Sequence, residues 1–318
     1  MVPLVTGDRR ASSSLTPSTL RTIESRWNWT SDSRVSRSPS SPRGGFWSGT
    51  AGAYGACGPW HSGFVRLGIL SDVHGNCIAL EAVLADGRAC GVDAWWALGD
   101  LVALGPDPVG AIELLAGTPG LVATRGNTER YVLTGDRPPP HRLHVRADPS
   151  LLDRLVGIEA SFSWTRGAVT AGGWLGWLAA LPLEVRLDLD DGTRVLGVHA
   201  SPGRDDGEGI SPDRPEAALA AALAGADADI VVAGHTHRAT DRTVGAIRAV
   251  NPGSVSNPVT DELRAGYVIV HSDPSGHRVE HRRVDYDRDA FLDRLRDSGH
   301  PAHDYLAGMF RRRGHGVD

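Results

Sequence analysis

From Val65 onward, short apolar runs alternate with longer amphipathic stretches, whereas residues 1 to about 62 show no regular spacing of apolar positions. The runs Val65 to Leu70, Ala94 to Leu98, Leu121 to Thr124, Val195 to Val198, Ile230 to Ala233 and Tyr267 to Val270 predict strands. Helices follow several of them: Ile78, Val83 and Leu84 recur at helical spacing, and Pro215 to Leu223 is alanine-rich, a composition that favours helix. Pro138 to Pro182 breaks the rhythm with helical pieces, and no internal repeat is visible. Strand and helix in alternation predict an α/β fold.

The organisation expected is an N-terminal tail over residues 1 to 62 and one domain over 63 to 318, with a small helical insertion over 136 to 182. The tail is rich in Ser, Thr, Gly, Pro and Arg, too polar to offset the entropy of ordering, and is expected to be disordered. Trp27, Trp29, Trp47 and Trp60 are unusual in such a stretch. A short binding segment and a mis-assigned translation start both remain open there.

Composition narrows the classes. The chain has 318 residues and 41% hydrophobic content, enough for a sizeable core. It has no run of about eighteen apolar residues, so no membrane span is expected. Its first residues lack the apolar stretch of a secretory signal, so a cytoplasmic location is expected. Cys57, Cys77 and Cys90 form no CxxC pair, which argues against both a disulfide framework and a thiolate cage. A net charge of −5 argues against stable nucleic-acid binding. The basic residues are all arginine, so an arginine by itself carries little functional signal.

Chemistry concentrates where the predicted strands end, the edge at which open α/β sheets place ligands. Asp72 and His74 follow the first strand in Ser71-Asp72-Val73-His74-Gly75-Asn76, two residues apart, so that on extended backbone both point the same way. Gly99-Asp100 follows the second strand and Arg125-Gly126-Asn127 the third, each pairing an oxygen donor with a glycine that allows close backbone approach. His199 follows the fourth, and Gly234-His235-Thr236-His237 the fifth. A lone histidine at a strand end is an ordinary polar residue. Four histidines, two aspartates and an asparagine at five strand ends form a candidate metal site.

The ordered blocks SDVHGN, LGDLVALGPDP, RGNTE, VHASP and GHTHRA resemble the calcineurin-like metallophosphoesterase superfamily, whose pattern is DxH, GD, GN, H and GHxH. The similarity spans residues 65 to about 285, is strongest to the small bacterial and archaeal phosphodiesterase branch, and includes Asn251-Pro252-Gly253-Ser254 as a further loop near the site. It implies a four-layer αββα sandwich. It also implies that Asp72, His74 and His237 hold one divalent metal, that Asn127, His199 and His235 hold a second, and that Asp100 bridges them. In the same terms Asp72, His74, Asp100, Asn127 and His199 are the catalytic residues. Imidazole and carboxylate donors suit manganese, iron, zinc or cobalt, with manganese favoured.

Two divalent ions outweigh the two carboxylates, so the centre is expected to attract a small anionic phosphoester and to generate a bridging hydroxide as nucleophile. Activity is expected to fall below about pH 6 as the imidazoles take up protons. Thr128 stands where many superfamily members carry a histidine able to protonate the leaving group, and threonine cannot do so. Gly99 to Pro108 also lacks the Asp-Arg-Gly of protein phosphatases. Arg125 or Arg238 could replace that arginine, although each also reads as a solvated charge.

These departures favour a phosphodiesterase. A phosphomonoesterase or protein phosphatase and a non-catalytic metal-binding scaffold of the same fold are the alternatives. Trp164, Trp174 and Trp177 in the insertion could wall a substrate groove, but Trp174, Leu175, Trp177 and Leu178 read better as a packing face. His141, His144, His271 and His281 fit no ligand spacing and are read as surface groups.

Overall fold

A computed structural model describes residues 65–257 and 259–311, so the expected tail and its four tryptophans lie outside the described residues. The strands in chain order are β1 (Val65–Leu70), β2 (Ala94–Leu98), β3 (Leu121–Thr124), β4 (Glu184–Asp188), β5 (Arg194–Val198), β6 (Ile230–Ala233), β7 (Thr240–Val244), β8 (Ile247–Asn251), β9 (Ala265–Asp273) and β10 (Gly276–Val284). They form two five-stranded sheets, ordered β10-β9-β1-β2-β3 and β4-β5-β6-β8-β7. In the first, β1, β2 and β3 run parallel and β9 and β10 antiparallel; in the second, β5, β6 and β8 run parallel between antiparallel edges β4 and β7.

Alternation along the strands decides the layering. Leu67, Ile69, Trp96 and Leu98 of the first sheet pack against Val195, Ile230, Val232 and Val250 of the second, making the middle of a sandwich. The other face of the first sheet, with Leu70, Trp95, Tyr267 and Ile269, lies under α1 (Cys77–Ala89) and α2 (Pro108–Gly117) through Leu80, Val83 and Ile112. After α3 (Asn127–Thr134), three helices cross the expected insertion: α4 (Arg142–Ala147), α5 (Leu152–Ala171) and α6 (Leu175–Ala180). Leu196, Val198 and Val231 on the outer face of the second sheet meet Leu219 and Leu223 of α7 (Glu216–Leu223). The order helix, sheet, sheet, helix is the expected four-layer αββα sandwich.

Helices α8 (Arg288–Asp297) and α9 (His303–Arg311) close the described chain. Among the described residues no helix is long and apolar enough to cross a membrane. Trp174 and Trp177 meet edge to face and pack on the core beneath the helices, and Trp164 lies 4.4 Å from His300, centroid to centroid. The tryptophans of the insertion are therefore engaged in packing.

Candidate metal centre

The loops after β1 and β2 continue to hold each other beyond the strands. Asp72 N donates to Gly99 O at 3.1 Å, His74 N to Asp100 O at 2.9 Å, and Gly75 N to Leu101 O at 2.9 Å. On the other side, Val255 N and Ser256 N donate to the carbonyls of Ser71 and Asp72, so the segment after Asn251-Pro252-Gly253-Ser254 clamps the same loop. Gly126 and Gly234 fit where no side chain could: a Cβ on Gly126 would lie 2.3 Å from Asp100 Oδ1, and one on Gly234 1.8 Å from Ser71 Oγ.

Asp72 and His74 do not sit on extended backbone as expected. Asp72, His74, Asp100, His235 and His237 all have φ between 48° and 67°, in the left-handed region that costs an L-residue on the order of 1 kcal/mol. The strand ends in a sharp turn at each donor, and the surrounding amide contacts hold that turn in place. Strained backbone at five of the seven candidate residues marks the place as built for something other than packing.

The structure brings all seven together. Donor atoms of Asp72, His74, Asp100 and His237 lie within 4.8 Å of one another. His237 Nε2 is 3.1 Å from Asp72 Oδ1 and 3.3 Å from His74 Nε2. Asp100 Oδ1 is also 3.3 Å from His199 Nε2, and Asn127 Oδ1 is 3.0 Å from both His199 Nε2 and His235 Nδ1. Asp100 thus joins one donor group to the other.

The ring orientations are informative because one nitrogen of every imidazole is committed elsewhere. Nδ1 of His74 faces Ala103 O at 2.9 Å, Nδ1 of His199 faces Leu98 O at 2.7 Å, Nδ1 of His237 faces Asn257 O, and Nε2 of His235 faces Gly207 O at 2.7 Å. A carbonyl only accepts, so each of these nitrogens carries the proton and its partner nitrogen turns a lone pair toward the cluster. Four lone pairs and two carboxylates then face one another at about hydrogen-bond distance, which is repulsive unless a cation lies among them. Asp72 Oδ1 bears this out: it is buried without a hydrogen-bond donor. The donor set fits divalent cations.

Without a cation, protons take up the role. Burial disfavours a charged His199, but the adjacent Asp100 and then Asp72 override it and push its pKa up to about 10. Burial opposes and Asp72 raises the pKa of His237 in the same way. Burial also works against charge on Asp100, yet His199 and His74 hold its carboxyl well below the usual carboxylate range. His74 shifts down, chiefly through burial.

Two supporting residues lie outside the seven candidates. Glu129 is fully buried and accepts the amides of Asp100 and Leu101 at 2.8 Å and of Gly126 at 2.9 Å, tying the loops after β2 and β3 together. Its signal was present, since an acid at the third position of a helix that begins after Gly126 is the carboxylate half of a capping box. Thr128 is only 3% exposed, and both its amide and its hydroxyl donate to Asp100 Oδ1 at 2.9 Å. It orients the carboxylate that joins the two groups.

Arg125 pairs with Asp205 and Arg238 with Asp213, so each has a carboxylate of its own. Two of the histidines read as surface groups are not. His271 is buried and 2.9 Å from Glu280, and His281 has a buried Nε2, because β9 and β10 are covered more fully than their polar sequence suggests. His141 and His144 are exposed as expected.

The sequence profile of the calcineurin-like phosphoesterase superfamily domain matches residues 65–274. An uncharacterized protein of Methanocaldococcus jannaschii is 26% identical over 238 residues, 70% of this chain and 88% of that protein. A hypothetical protein from Pyrococcus horikoshii has a similar structure, with a TM-score of 0.63 at 24% identity over 80% of this chain and 99% of the other. A metallophosphoesterase from Sphaerobacter thermophilus is similar with a TM-score of 0.57 at 27% identity, over 77% and 99%.

Proposed function

The chain belongs to the calcineurin-like phosphoesterase superfamily, and on that premise we propose that it is a phosphodiesterase for a small anionic diester, a metabolite or nucleotide, using two divalent cations. Asp72, His74 and His237 would hold one cation and Asn127, His199 and His235 the other, with Asp100 the carboxylate that joins the two donor groups. Manganese is the favoured ion. The observation that carries this reading is the convergence of four imidazole lone pairs on Asp72, Asp100 and Asn127, each ring fixed by a backbone carbonyl on its far side.

When bound, such cations supply Lewis acidity, lowering the pKa of a water toward about 7 and offsetting charge on phosphoryl oxygens. The chain's own part is to hold the donors. Glu129 fixes the backbone of Asp100, Thr128 fixes its carboxylate, and the four carbonyls fix the rings. Asp72, His74, Asp100 and His199 are buried, while Asn127, His235 and His237 are half-buried and form the open side to which a phosphoester can come.

Diester over monoester rests on the absent Asp-Arg-Gly after Asp100 and on Thr128, which bears on the leaving group. The Thr128 hydroxyl is buried and engaged with Asp100, so it cannot pass a proton to a departing oxygen. Leaving groups that need little protonation are therefore preferred. Protein loaded with manganese should hydrolyse bis-p-nitrophenyl phosphate faster than p-nitrophenyl phosphate, and faster monoester turnover would reject the assignment. Across a leaving-group series the rate should fall steeply with leaving-group pKa, and less steeply in Thr128→His.

A further inference from the structure

His237 also lines a cavity of about 220 Å³, which it shares with Arg238, Glu262, Arg264, Gly266 and Arg283. Three guanidinium groups share this space, and two of them are ion-paired. Arg238 pairs with Asp213 at 2.6 Å, and Arg264 donates to Glu262 at 2.8 Å. Arg283 pairs with neither. Its Nη1 donates to the carbonyls of Arg282 at 2.7 Å and Pro252 at 3.3 Å, and among the described residues no carboxylate lies within ion-pair distance of it. Glu262 acts on Arg283 only through space, and Asp285 acts likewise on Arg264, so Arg283 is set apart as a half-buried guanidinium in β10 with no carboxylate on its N–H groups.

The space around Arg283 is kept clear by the backbone. A Cβ on Gly266 would lie 2.7 Å from Pro252 O and 3.0 Å from Arg283 Nη1, so a side chain there would crowd the guanidinium. A cation partly removed from water with donors to spare is costly unless an anion completes it, and the planar fork of arginine matches two oxygens of a phosphate. In the cavity on the other side of the site, beside Gly207, Arg125 and Arg130 both bind Asp205, Arg130 also reaches Asp206 and Asp136, and the remaining arginine, Arg204, is exposed to water.

We propose that the cavity beside His237 holds a second phosphate group of the substrate on Arg283, with Arg238 and Arg264 flanking it, while the ester phosphorus lies at Asp100. The substrate class is then a diester that carries a further phosphate close to the bond that is cut. This rests on the phosphodiesterase reading above. It adds a specificity residue, Arg283, from a strand that supplies none of the seven candidate ligands.

Two measurements test it. Isothermal titration of chelator-treated protein with inorganic phosphate should show saturable binding that weakens about tenfold or more in Arg283→Met and recovers in part in Arg283→Lys. Kinetics on the manganese-loaded protein should compare thymidine 5′-p-nitrophenyl phosphate with the same ester bearing a 3′-phosphate. The native chain should prefer the phosphorylated ester, and Arg283→Met should cut the ratio of the two kcat/KM values about tenfold. Equal phosphate binding by native and Arg283→Met protein, or an unchanged ratio, would overturn the assignment. Turnover of neither ester with any divalent ion, alongside phosphate binding that depends on Arg283, would overturn the phosphodiesterase reading and leave the anion cavity standing.

Discussion

At the scale of single residues, Thr128 has a role beyond the one it does not fill. Read against related sequences it is a missing acid; in the structure it donates twice to one oxygen of Asp100. Valine has nearly the same shape without the hydroxyl, so Thr128→Val should fold normally and keep the amide contact. Partners of this kind orient metal ligands and typically contribute 10- to 100-fold in affinity. Manganese affinity, measured by competition with a fluorescent chelator, should therefore fall about tenfold in Thr128→Val, and an unchanged affinity would remove Thr128 from the supporting set.

The seven candidate donors were legible because each is a polar residue at the end of an apolar run, a pattern that survives without coordinates. Their backbone was not legible. The left-handed turns at Asp72, His74, Asp100, His235 and His237 depend on amides donated from other loops, and no local preference of Asp or His announces them.

Among the elements, the apolar parallel strands were readable, while the mixed-sequence β8 inside the second sheet and the polar edges were not. The first sheet's β1, β2 and β3 are apolar runs, and they appear where expected. By contrast, β4, β7 and β10 lie at sheet edges with mixed polar sequences such as TDRTV, which read as loop until a neighbour pairs with them. Their register is set by tertiary pairing.

The joint between α5 and the start of α9 carries a pH dependence of its own. His300 is 1% exposed, accepts from Ala302 N at 3.0 Å, and is held down to a pKa of about 4 by burial and then by His303. The unfolded chain takes up a proton near its ordinary value of 6.5 and the folded chain only near 4, so between those values the unfolded state binds more protons. This contribution to stability is present above pH 6.5 and is lost as pH falls toward 4, by up to about 3 kcal/mol. The Tm of native protein should drop more between pH 7.5 and 5 than that of His300→Gln, and parallel curves would show that His300 is not the cause.

For the molecule as a whole, a cation bound as proposed would compete with protons for one place. Ordinary imidazoles would yield it below about pH 6, but His199 pushed up to about 10 extends the competition through neutrality. The sign follows: affinity for manganese should fall steadily from pH 8 to 6, and binding at pH 7 should release protons. Calorimetry in two buffers of different ionisation enthalpy would count them, and a heat independent of buffer would contradict the competition. Saturating manganese should also raise the Tm by about 5 to 10 °C, and chelation should reverse it.

Of the seven donors, four stand on the first sheet and three on the second, and no strand is common to the two. Apolar contact fills the middle between these leaves and resists sliding poorly because it has no direction, while directional bonds such as His199 to Leu98 O and Arg125 to Asp205 lie toward the rim. Ions seated as proposed would act as rivets through both, converting a greasy seam into a fixed one. A single molecule pulled by its ends should accordingly part between the leaves at lower force when emptied than when loaded.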